Sequence, residues 1–428
     1  MDARETALVC LNICQHQGGW SDAVLKKQLA AARLDAREGA LATQLCFGVQ
    51  QNQLLLDFYL GEFSNMPLKR MESKVVQALR LGAYQLLFLD KIPPSAAVNS
   101  SVALVKQVSK NARAAGMVNG ILRSLERSRG HLPDIPQTDQ AEYLSIKYSH
   151  PRWLVEELLA ILDSDGVEKL LREHNSQPPV TAMVNTRKTT QEALLQELPE
   201  AKPHPWMENC VILGRTGRLE ELPAFQEGEF YIQDPAARLA VETAKPAPGM
   251  RVLDLCAAPG GKSFAAALAM EDQGEIIACD LHPHKKRLLE AGIKRLGLTS
   301  IQAKTQDGRE FCPEWEEAFD LVIADVPCSG LGVIRKKPDI RYKDPEPLKG
   351  LPAIQLALLE NAARYLKRNG ILLYSTCTIL RRENEDVAAQ FLAGHPDFSM
   401  EESRTLWPHI DGTDGFFLCK LRKGGSAQ

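Results

Sequence analysis

The chain lacks the features that would place it in a membrane or outside the cell. No apolar run approaches the roughly 18 residues that a membrane-spanning helix needs. The start, MDARETALVC, does not join a charged stretch to an apolar block, as a secretory signal would. We therefore expect a soluble, cytoplasmic protein with no membrane partner.

An excess of charge of one sign is also missing. The chain has 51 basic and 54 acidic side chains, which give a net charge of -3. Non-specific affinity for nucleic acid normally needs a surplus of Lys and Arg, and the whole chain has none. Any contact with a nucleic acid must therefore come from a local basic segment.

The ten cysteines do not form the paired C-x-x-C motifs that are typical of a zinc site. Several of them, such as Cys279 and Cys419, lie in apolar strand-like runs, where a small buried thiol is common. We expect most of the ten to be reduced packing residues and expect no metal site. Two of them, Cys328 and Cys377, need another explanation.

The length of 428 residues predicts more than one domain, because a single hydrophobic core rarely supports so long a chain. Residues 1–130 carry apolar side chains at helical spacing and predict an all-α domain. A polar linker-like stretch, RGHLPDIPQTDQ, follows, and residues 140–235 predict a small α+β connecting domain. In residues 236–428, short β-rich runs alternate with helical segments, which predicts an α/β domain with a parallel sheet. Its final run, DGFFLCKL, is a candidate antiparallel strand.

The sequence RVLDLCAAPGGKS predicts a ligand-binding loop between a strand and a helix. The glycines of Pro259-Gly260-Gly261 let the backbone approach a ligand at the carboxyl end of the strand, where open parallel sheets bind ligands. The loop is neither G-x-G-x-x-G nor the phosphate-binding G-x-x-x-x-G-K-[ST]. Lys262 and Ser263 echo the second motif, but its first glycine is missing, which argues against an NTPase.

Acidic residues end the next two predicted strands. Asp280 is placed to accept hydrogen bonds from ribose hydroxyls, and Asp307 to accept from an adenine amino group. Each residue alone is equally well explained as a turn former at a strand end. Their joint placement favours an adenosine ligand, and the missing diphosphate loop favours S-adenosylmethionine over NAD.

Two cysteines follow the ends of the fourth and fifth strands, in Asp325-Val326-Pro327-Cys328 and in Ser375-Thr376-Cys377. In a doubly wound sheet both ends face one crevice, so the two thiols would converge. Cytosine C5 is a poor nucleophile, but addition of a thiolate at C6 makes C5 nucleophilic enough to attack a sulfonium methyl group. Asp325 is placed to bind the Watson–Crick edge of the base. The alternative is that both cysteines are buried strand residues.

The motifs LDLCAAPGGK, D-V-P-C-S-G and S-T-C, in this order, resemble the RNA 5-methylcytosine methyltransferase family. The resemblance implies a Rossmann-like class I methyltransferase domain, Cys377 as nucleophile and Cys328 in product release. DNA cytosine methyltransferases use a Pro-Cys thiol as nucleophile, so the residues alone leave the two roles open. The cofactor contacts that the resemblance implies are Cys256, Ala257, Ala258, Pro259, Gly260, Gly261, Lys262, Asp280, Asp307 and Asp325.

The segment from Lys91 to Leu125 resembles the NusB-like RNA-binding domain that one bacterial branch of this family carries at its N-terminus. That pairing implies small-subunit (16S) ribosomal RNA as the substrate, and we expect a monomer. Ser100 departs from the pattern, which has an acidic residue there, so the surface contacts of the domain are not carried over. Amphipathic helical packing alone explains the segment equally well.

A basic stretch lies shortly after Cys328 and predicts contacts with RNA phosphates. A solvated charged loop is the alternative. The target base would have to be unstacked to reach the thiol, which favours RNA loops. The residues of the stretch are Arg335, Lys336, Lys337, Arg341 and Lys343.

Three other functions are also compatible with the sequence. The RNA substrate could be tRNA or another RNA. A methyltransferase that acts on an exocyclic amine or a protein needs no thiol and often has N-P-P-Y where this chain has D-V-P-C. A non-catalytic RNA-binding or ribosome assembly factor could keep the fold alone, although intact Asp325 and Cys377 argue against it.

Overall fold

The computed structural model describes residues 1–17, 21–214 and 217–424. It separates into two compact units, which are Met1–Ser176 with Lys336–Lys343, and Gln177–Arg335 with Asp344–Gln428. Across the described ranges, the helices are too short or too polar to span a bilayer.

The first unit is all helical. Its helices are α1 (Ala3–Gln17), α2 (Ser21–Ala32), α3 (Ala36–Gln51), α4 (Gln53–Glu62), α5 (Ser73–Phe88), α6 (Pro94–Val108), α7 (Ala114–Arg127), α8 (Gln140–Tyr148), α9 (Arg152–Leu159) and α10 (Ser164–His174). Twelve of the 16 residues of α5 are buried, so this helix forms the centre of the core. The outer α7 buries Val118, Ile121, Leu122 and Leu125, the spacing of one helical face.

Helices α8 to α10 group with the first unit, whereas the sequence suggested that a connecting domain starts at residue 140. The polar linker does not separate two cores, because the turn after α8 docks on the first helices. Ser149 there adopts a left-handed backbone, and its hydroxyl accepts a hydrogen bond of 2.8 Å from the Leu54 amide. The first strand after these helices begins at Val180.

The second unit begins with a four-stranded antiparallel sheet in the order β2-β3-β1-β4. The predicted strand and helix in PPVTAMVNTRKTTQEALLQEL are both present, as β1 and α11. The elements of this part are β1 (Val180–Val184), α11 (Gln191–Glu197), β2 (Lys202–Pro203), β3 (Cys210–Leu213), α12 (Pro223–Gln226) and β4 (Phe230–Ile232).

A seven-stranded sheet follows, in the order β10-β11-β9-β8-β5-β6-β7. The five strands from β9 to β7 are parallel, while β11 runs antiparallel to both β9 and β10. The elements are α13 (Pro235–Ala244), β5 (Arg251–Asp254), α14 (Gly261–Ala269), β6 (Glu275–Asp280), α15 (Pro283–Leu296), β7 (Ile301–Thr305), β8 (Phe319–Asp325), α16 (Pro345–Leu348), α17 (Leu351–Tyr365), β9 (Leu366–Thr376), α18 (Glu385–Gly394), β10 (Phe398–Leu406), α19 (Pro408–Asp411) and β11 (Phe416–Lys423).

This sheet confirms the predicted α/β domain and its antiparallel last strand. The central strands are apolar because helices cover both faces of a parallel sheet. The order also places the carboxyl ends of β5, β6, β8 and β9 at one edge, with β5 in the middle. Ligand-binding side chains are expected at that edge.

Candidate active site

The loop between β5 and α14 follows the backbone path that its glycines permit. Gly260 has a φ of +118°, and a Cβ there would lie 2.3 Å from Cζ of Phe264. Only glycine fits this position without strain. The next residue, Gly261, begins α14, so the free amide groups of the helix start point toward the loop.

A cleft of about 650 Å³ opens beside this loop. Most of the predicted cofactor residues line it: Cys256, Ala257, Ala258, Pro259, Gly261, Lys262 and Asp325. Residues that the sequence did not single out also line it, among them Gln233 and Asp254. The ends of β5 and β8 and the glycine loop therefore line one concave site.

The two predicted acidic residues lie at the ends of β6 and β7 and already have partners. Asp280 is buried, and its carboxylate accepts from the His282 amide at 3.1 Å. Asp307 forms an ion pair with Arg309, whose Nη2 lies 2.6 Å from Oδ2. That hydrogen bond lowers the pKa of Asp307. Neither carboxylate is among the residues that line the cleft.

The two predicted thiols meet at the ends of β8 and β9. These strands are parallel, with Asp325 opposite Ser375, so the residues that follow both strands emerge side by side. The sulfur atoms of Cys328 and Cys377 are 3.3 Å apart, and both residues are half-buried. The distance permits a thiol–thiolate hydrogen bond.

That hydrogen bond shifts the pKa values of the two thiols in opposite directions. It lowers the pKa of Cys377, and burial opposes it. The same contact, together with burial, raises the pKa of Cys328 well above its usual value. Cys377 is therefore the better thiolate of the two, and thiolates rather than thiols are nucleophiles.

Asp325 lies beside the thiols in a network of charged and polar groups. Its Oδ2 is 2.5 Å from Nζ of Lys262, and its Oδ1 accepts a 2.9 Å hydrogen bond from the Ser375 hydroxyl. The Lys262 ammonium also lies 5.0 Å from the ring centre of Phe416. These contacts fix the Asp325 carboxylate and hold a cation close enough to Cys377 to lower the pKa of its thiol.

Asp254, the last residue of β5, was missed by the sequence reasoning. It is fully buried, and burial raises its pKa to about 7. Its Oδ2 accepts a 2.7 Å hydrogen bond from the Ser263 hydroxyl, while its Oδ1 has no partner. The signal that could have found it is an acidic residue at the end of an apolar strand, the pattern that drew attention to Asp280.

Two of the five predicted phosphate contacts are buried, so the structure does not present them to RNA. Arg335 is 5% exposed, and its Nη2 donates to the Thr413 carbonyl at 3.2 Å. Arg341 is 0% exposed within the helical unit. Lys337 is exposed, and Lys336 and Lys343 are half-buried. The prediction of phosphate contacts therefore stays only for the three lysines.

Arg341 is buried where three helices end. Its guanidinium donates to the carbonyl of Gln51 (3.2 Å) at the end of α3, to Ser149 (3.2 Å) after α8, and to His174 (3.4 Å) at the end of α10. It also donates to Oδ1 of Asn175 at 2.8 Å. Helix C-termini carry unpaired carbonyls and partial negative charge, so they can stabilise a buried cation without a carboxylate.

Family models match three consecutive parts of the chain. The NusB family matches residues 1–127, and the ferredoxin-like domain of RsmF/B-like methyltransferases matches residues 150–220. The family described as 16S rRNA methyltransferase RsmB/F matches residues 241–422, which include the whole cleft loop and both thiols.

Curated relatives extend the likeness over the full length. A protein of Bacillus subtilis (strain 168) named "Probable ribosomal RNA small subunit methyltransferase B" is 37% identical over 99% of both chains. A Klebsiella pneumoniae protein named "Ribosomal RNA small subunit methyltransferase B" is 32% identical over 91% of both chains.

Solved structures share the fold. The crystal structure of PH0851 covers 99% of both chains with a TM-score of 0.80 and 26% identity. The crystal structure of NSun6 from Pyrococcus horikoshii with SFG covers 68% of this chain and 98% of that one, with a TM-score of 0.58 and 21% identity. These structures show the fold, and the full-length relatives together with the three matched domains show that the chain belongs to the 16S rRNA methyltransferase RsmB/F family.

Proposed function

We propose that the chain transfers a methyl group from S-adenosylmethionine to C5 of a cytosine in small-subunit ribosomal RNA. The observation that carries this proposal is the pair of half-buried thiols, 3.3 Å apart, beside the Lys262–Asp325 ion pair. A methyltransferase that acts on an amine or a hydroxyl has no use for a nucleophilic thiol. Carbon 5 of a pyrimidine does need one.

The cleft has the chemistry that S-adenosylmethionine requires. Its loop lets backbone groups approach a ligand. Asp280 ends the neighbouring strand, outside the residues that line the cleft, and a carboxylate there suits the hydroxyls of a ribose. Buried polar groups without partners, on Asp254 and Gln233, indicate that a polar ligand completes the site. When bound, S-adenosylmethionine supplies an electrophilic methyl group on a sulfonium.

We propose the cofactor contacts from Cys256 to Lys262, at Asp280, at Asp307 and at Asp325, as the family resemblance implies. Asp280 would accept from the ribose hydroxyls, with its carboxylate already oriented by the His282 amide. Asp307 would accept from the adenine amino group while its carboxylate also accepts a hydrogen bond from Arg309.

In the proposed reaction, Cys377 first adds to the cytosine ring and is later eliminated from it. The Cys377 sulfur forms a bond to C6 of cytosine, which makes C5 an enamine-like nucleophile toward the methyl group. After methyl transfer, C5 gives its proton to a water molecule, and the electron pair of that C–H bond forms the C5–C6 double bond as the bond between sulfur and C6 breaks. This step restores the aromatic ring and the Cys377 thiolate. Asp325 binds the N4 amino group of the base, and Lys262 stabilises the charge that develops on the ring.

We assign release of the product to Cys328. Its pKa is raised by the hydrogen bond to Cys377 and by burial, so it stays protonated while Cys377 is ionised. A neutral thiol next to the adduct sulfur can stabilise the leaving thiolate by the same hydrogen bond. The assignment follows the order of acidity of the two thiols and the family resemblance.

Ribosomal RNA as substrate is supported by the names of the relatives and by the NusB family match at the N-terminus. Lys336, Lys337 and Lys343 are the proposed phosphate contacts, and positively charged side chains there would position the RNA without reading its sequence. The base must be unstacked to reach Cys377, so a loop or a disrupted helix suits the site.

Two variants test the proposed chemistry. We expect Cys377→Ala to abolish methyl transfer while calorimetry still detects binding of S-adenosylhomocysteine. We expect Cys328→Ala to accumulate a protein–RNA adduct that migrates slowly on a denaturing gel, because the addition proceeds and release does not. The control is Cys312→Ala, which changes another half-buried cysteine of the same unit. We expect this variant to keep methyl transfer and to accumulate no adduct.

If Cys377→Ala and not Cys328→Ala gave the adduct, the two roles would have to be exchanged. Undiminished turnover of Cys377→Ala would refute the thiol mechanism. The substrate is tested separately, by bisulfite sequencing of total RNA from cells with the wild-type protein or with Cys377→Ala. We expect one cytosine of 16S RNA to lose its methylation, and loss confined to tRNA would overturn the substrate assignment.

A further inference from the structure

Two consecutive polar side chains are buried in the turn that follows the Cys377 loop. Glu383 and Asn384 lie between β9 and α18, and both are 0% exposed. The hydroxyl of Tyr374 donates to the Glu383 carbonyl and anchors the turn on β9. Acidic and amide side chains are seldom fully buried unless hydrogen bonds offset the loss of water. The partners of these two side chains flank the two thiols.

Glu383 holds the loop that carries Cys328. Its Oε2 accepts a hydrogen bond of 2.8 Å from the amide of Ser329, the residue after Cys328. The same oxygen accepts at 3.1 Å from Nε2 of Gln355, a fully buried residue of α17. This Nε2 also donates at 3.1 Å to the carbonyl of Pro327, the residue before Cys328. Both peptide groups that flank Cys328 are therefore fixed by one connected pair of side chains.

Asn384 holds the loop that carries Cys377 in a similar way. Its Oδ1 accepts at 2.6 Å from the hydroxyl of Thr376, the residue before Cys377. Its Nδ2 donates at 3.0 Å to the carbonyl of Thr378, the residue after Cys377. The acceptor and a donor of one amide group are thus used on the two neighbours of the same cysteine.

The two loops are also joined to each other. The hydroxyl oxygens of Ser329 and Thr378 are 2.7 Å apart, and both residues are 0% exposed. Because Glu383 and Asn384 are consecutive, a shift of one loop relative to the other would break at least one buried hydrogen bond. Such a break leaves a buried polar group without its partner, which is unfavourable.

We propose that Glu383 and Asn384 are positioning residues that set the 3.3 Å contact between the two thiols. Glu383, together with Gln355, places Cys328. Asn384 places Cys377. A hydrogen bond depends on the distance and angle between its two partners, so a sulfur–sulfur contact between separate loops needs both loops to be held. The inference rests on the proposed function for the roles of the thiols.

The pH midpoint of Cys377 alkylation by iodoacetamide tests the contact without RNA or cofactor. We expect Glu383→Met and Asn384→Leu each to raise the midpoint by about 0.5 to 1 pH unit, because each change releases one thiol from the other. Glu383→Gln should leave the midpoint nearly unchanged, since its amide oxygen can still accept both hydrogen bonds. Glu385→Met, at an exposed position of the same segment, is the matched control.

The direction of the shift separates position from charge. Loss of a negative charge near a thiol lowers the pKa of that thiol, so a rise in Glu383→Met reports the lost hydrogen bonds. The charged groups that act on Cys377 are Asp325, Lys262 and Asp414, and all three stay in place in every variant.

Formation of the protein–RNA adduct separates the two placements. We expect Glu383→Met to accumulate the adduct, as Cys328→Ala does, because release is impaired. We expect Asn384→Leu to form the adduct more slowly in a single turnover and to accumulate none, because the nucleophile is displaced. The opposite pattern would refute the assignment of one side chain to each thiol.

Thermal unfolding shows whether each variant keeps the fold. If Glu383→Met does not fold, Gln355→Met takes its place, because it removes the amide donor of the same pair. If Asn384→Leu does not fold, Thr376→Val takes its place, because it removes only the hydroxyl that donates to Asn384. The same rise of the midpoint is expected in both replacements.

Unchanged midpoints in the folded variants would overturn the inference, and so would equal shifts in Glu383→Met and Glu383→Gln. Absence of the adduct in Cys328→Ala as well would count against the proposed release step. The alkylation midpoints would still decide the positions of the thiols in that case, so the two failures are distinguishable.

Discussion

Cys328 controls the acidity of Cys377 through their 3.3 Å sulfur–sulfur contact. Removing the donor thiol takes away the hydrogen bond that lowers the pKa of Cys377 and leaves burial, which raises it. Only the thiolate form reacts with an alkylating agent or with a cytosine ring. The fraction of thiolate at neutral pH should therefore fall when Cys328 is replaced.

We expect the pH midpoint of Cys377 alkylation to move upward in Cys328→Ala. The wild-type rate should reach half its maximum below the pH at which an ordinary thiol does, because the Cys377 pKa is lowered. The measurement is the rate of modification by iodoacetamide between pH 6 and about 9.5, with the Cys377 peptide quantified by mass spectrometry. Cys312→Ala serves as control, and an unmoved midpoint in Cys328→Ala would contradict the assigned hydrogen bond.

Asp254 should make stability depend on pH. Its pKa is raised by burial from 3.8 to about 7, so the folded state holds a proton that the unfolded state releases. The contribution of protonated Asp254 to the stability of the fold is fully present below pH 3.8 and is lost as the pH rises through about 7. We expect Asp254→Asn, which cannot ionise, to unfold at a higher temperature than the wild type at pH 8 and to lose that advantage toward pH 4.5. A difference that does not change with pH would show that Asp254 does not titrate in this range.

Residue types at strand ends revealed part of the site, and contacts across the fold supplied the rest. The convergence of Cys328, Cys377 and Asp325 was predictable because the carboxyl ends of adjacent parallel strands meet at one edge of the sheet. Gln233 carries no such signal, since its role depends on which groups are left without partners after folding. A sequence read one residue at a time does not contain that information.

At the scale of elements, Arg341 joins the ends of α3, α8 and α10. We expect Arg341→Met to destabilise the protein by about 3 kcal/mol, because several buried carbonyls lose their donor at once. Lys337→Met, at an exposed position in the same segment, should change stability by less than about 0.5 kcal/mol. Chemical denaturation measures both effects.

The same pair of variants separates burial from RNA binding. If Arg341 bound a phosphate, its replacement would lower RNA affinity and the salt dependence of binding and leave stability unchanged. For Arg341→Met we expect the stability to fall, while the RNA affinity and its dependence on salt stay unchanged. For Lys337 we expect unchanged stability and a weaker dependence of RNA affinity on salt.

Periodicity predicted most of the elements of the sheet. The parallel strands were found because their apolar runs are short and β-rich, as a sheet covered on both faces requires. Strand β10 was missed because its sequence, FSMEESRTL, is polar and its residues are mostly exposed at the edge of the sheet. An edge strand is held by backbone hydrogen bonds to β11, which leave no pattern in the side chains.

At the scale of the whole chain, the order of the three folds was predictable, whereas the way the chain divides into two compact units was not. The all-α, α+β and α/β succession follows from changes of periodicity along the sequence. The helical unit extends to residue 176 and recruits residues 336–343, which no local pattern indicates. The basic sequence of residues 336–343 is typical of a solvated loop. Arg341 is nevertheless buried, because its guanidinium donates to carbonyls at three converging helix ends.

This discontinuity has a consequence for how the protein is made. Residues 336–343 leave the ribosome long after α10, with the four-stranded sheet and much of the methyltransferase sheet translated in between. Until then the carbonyls at the ends of α3, α8 and α10 must be hydrated. The N-terminal helices can therefore form early during synthesis, but their last buried contacts wait for the segment that follows the Cys328 loop.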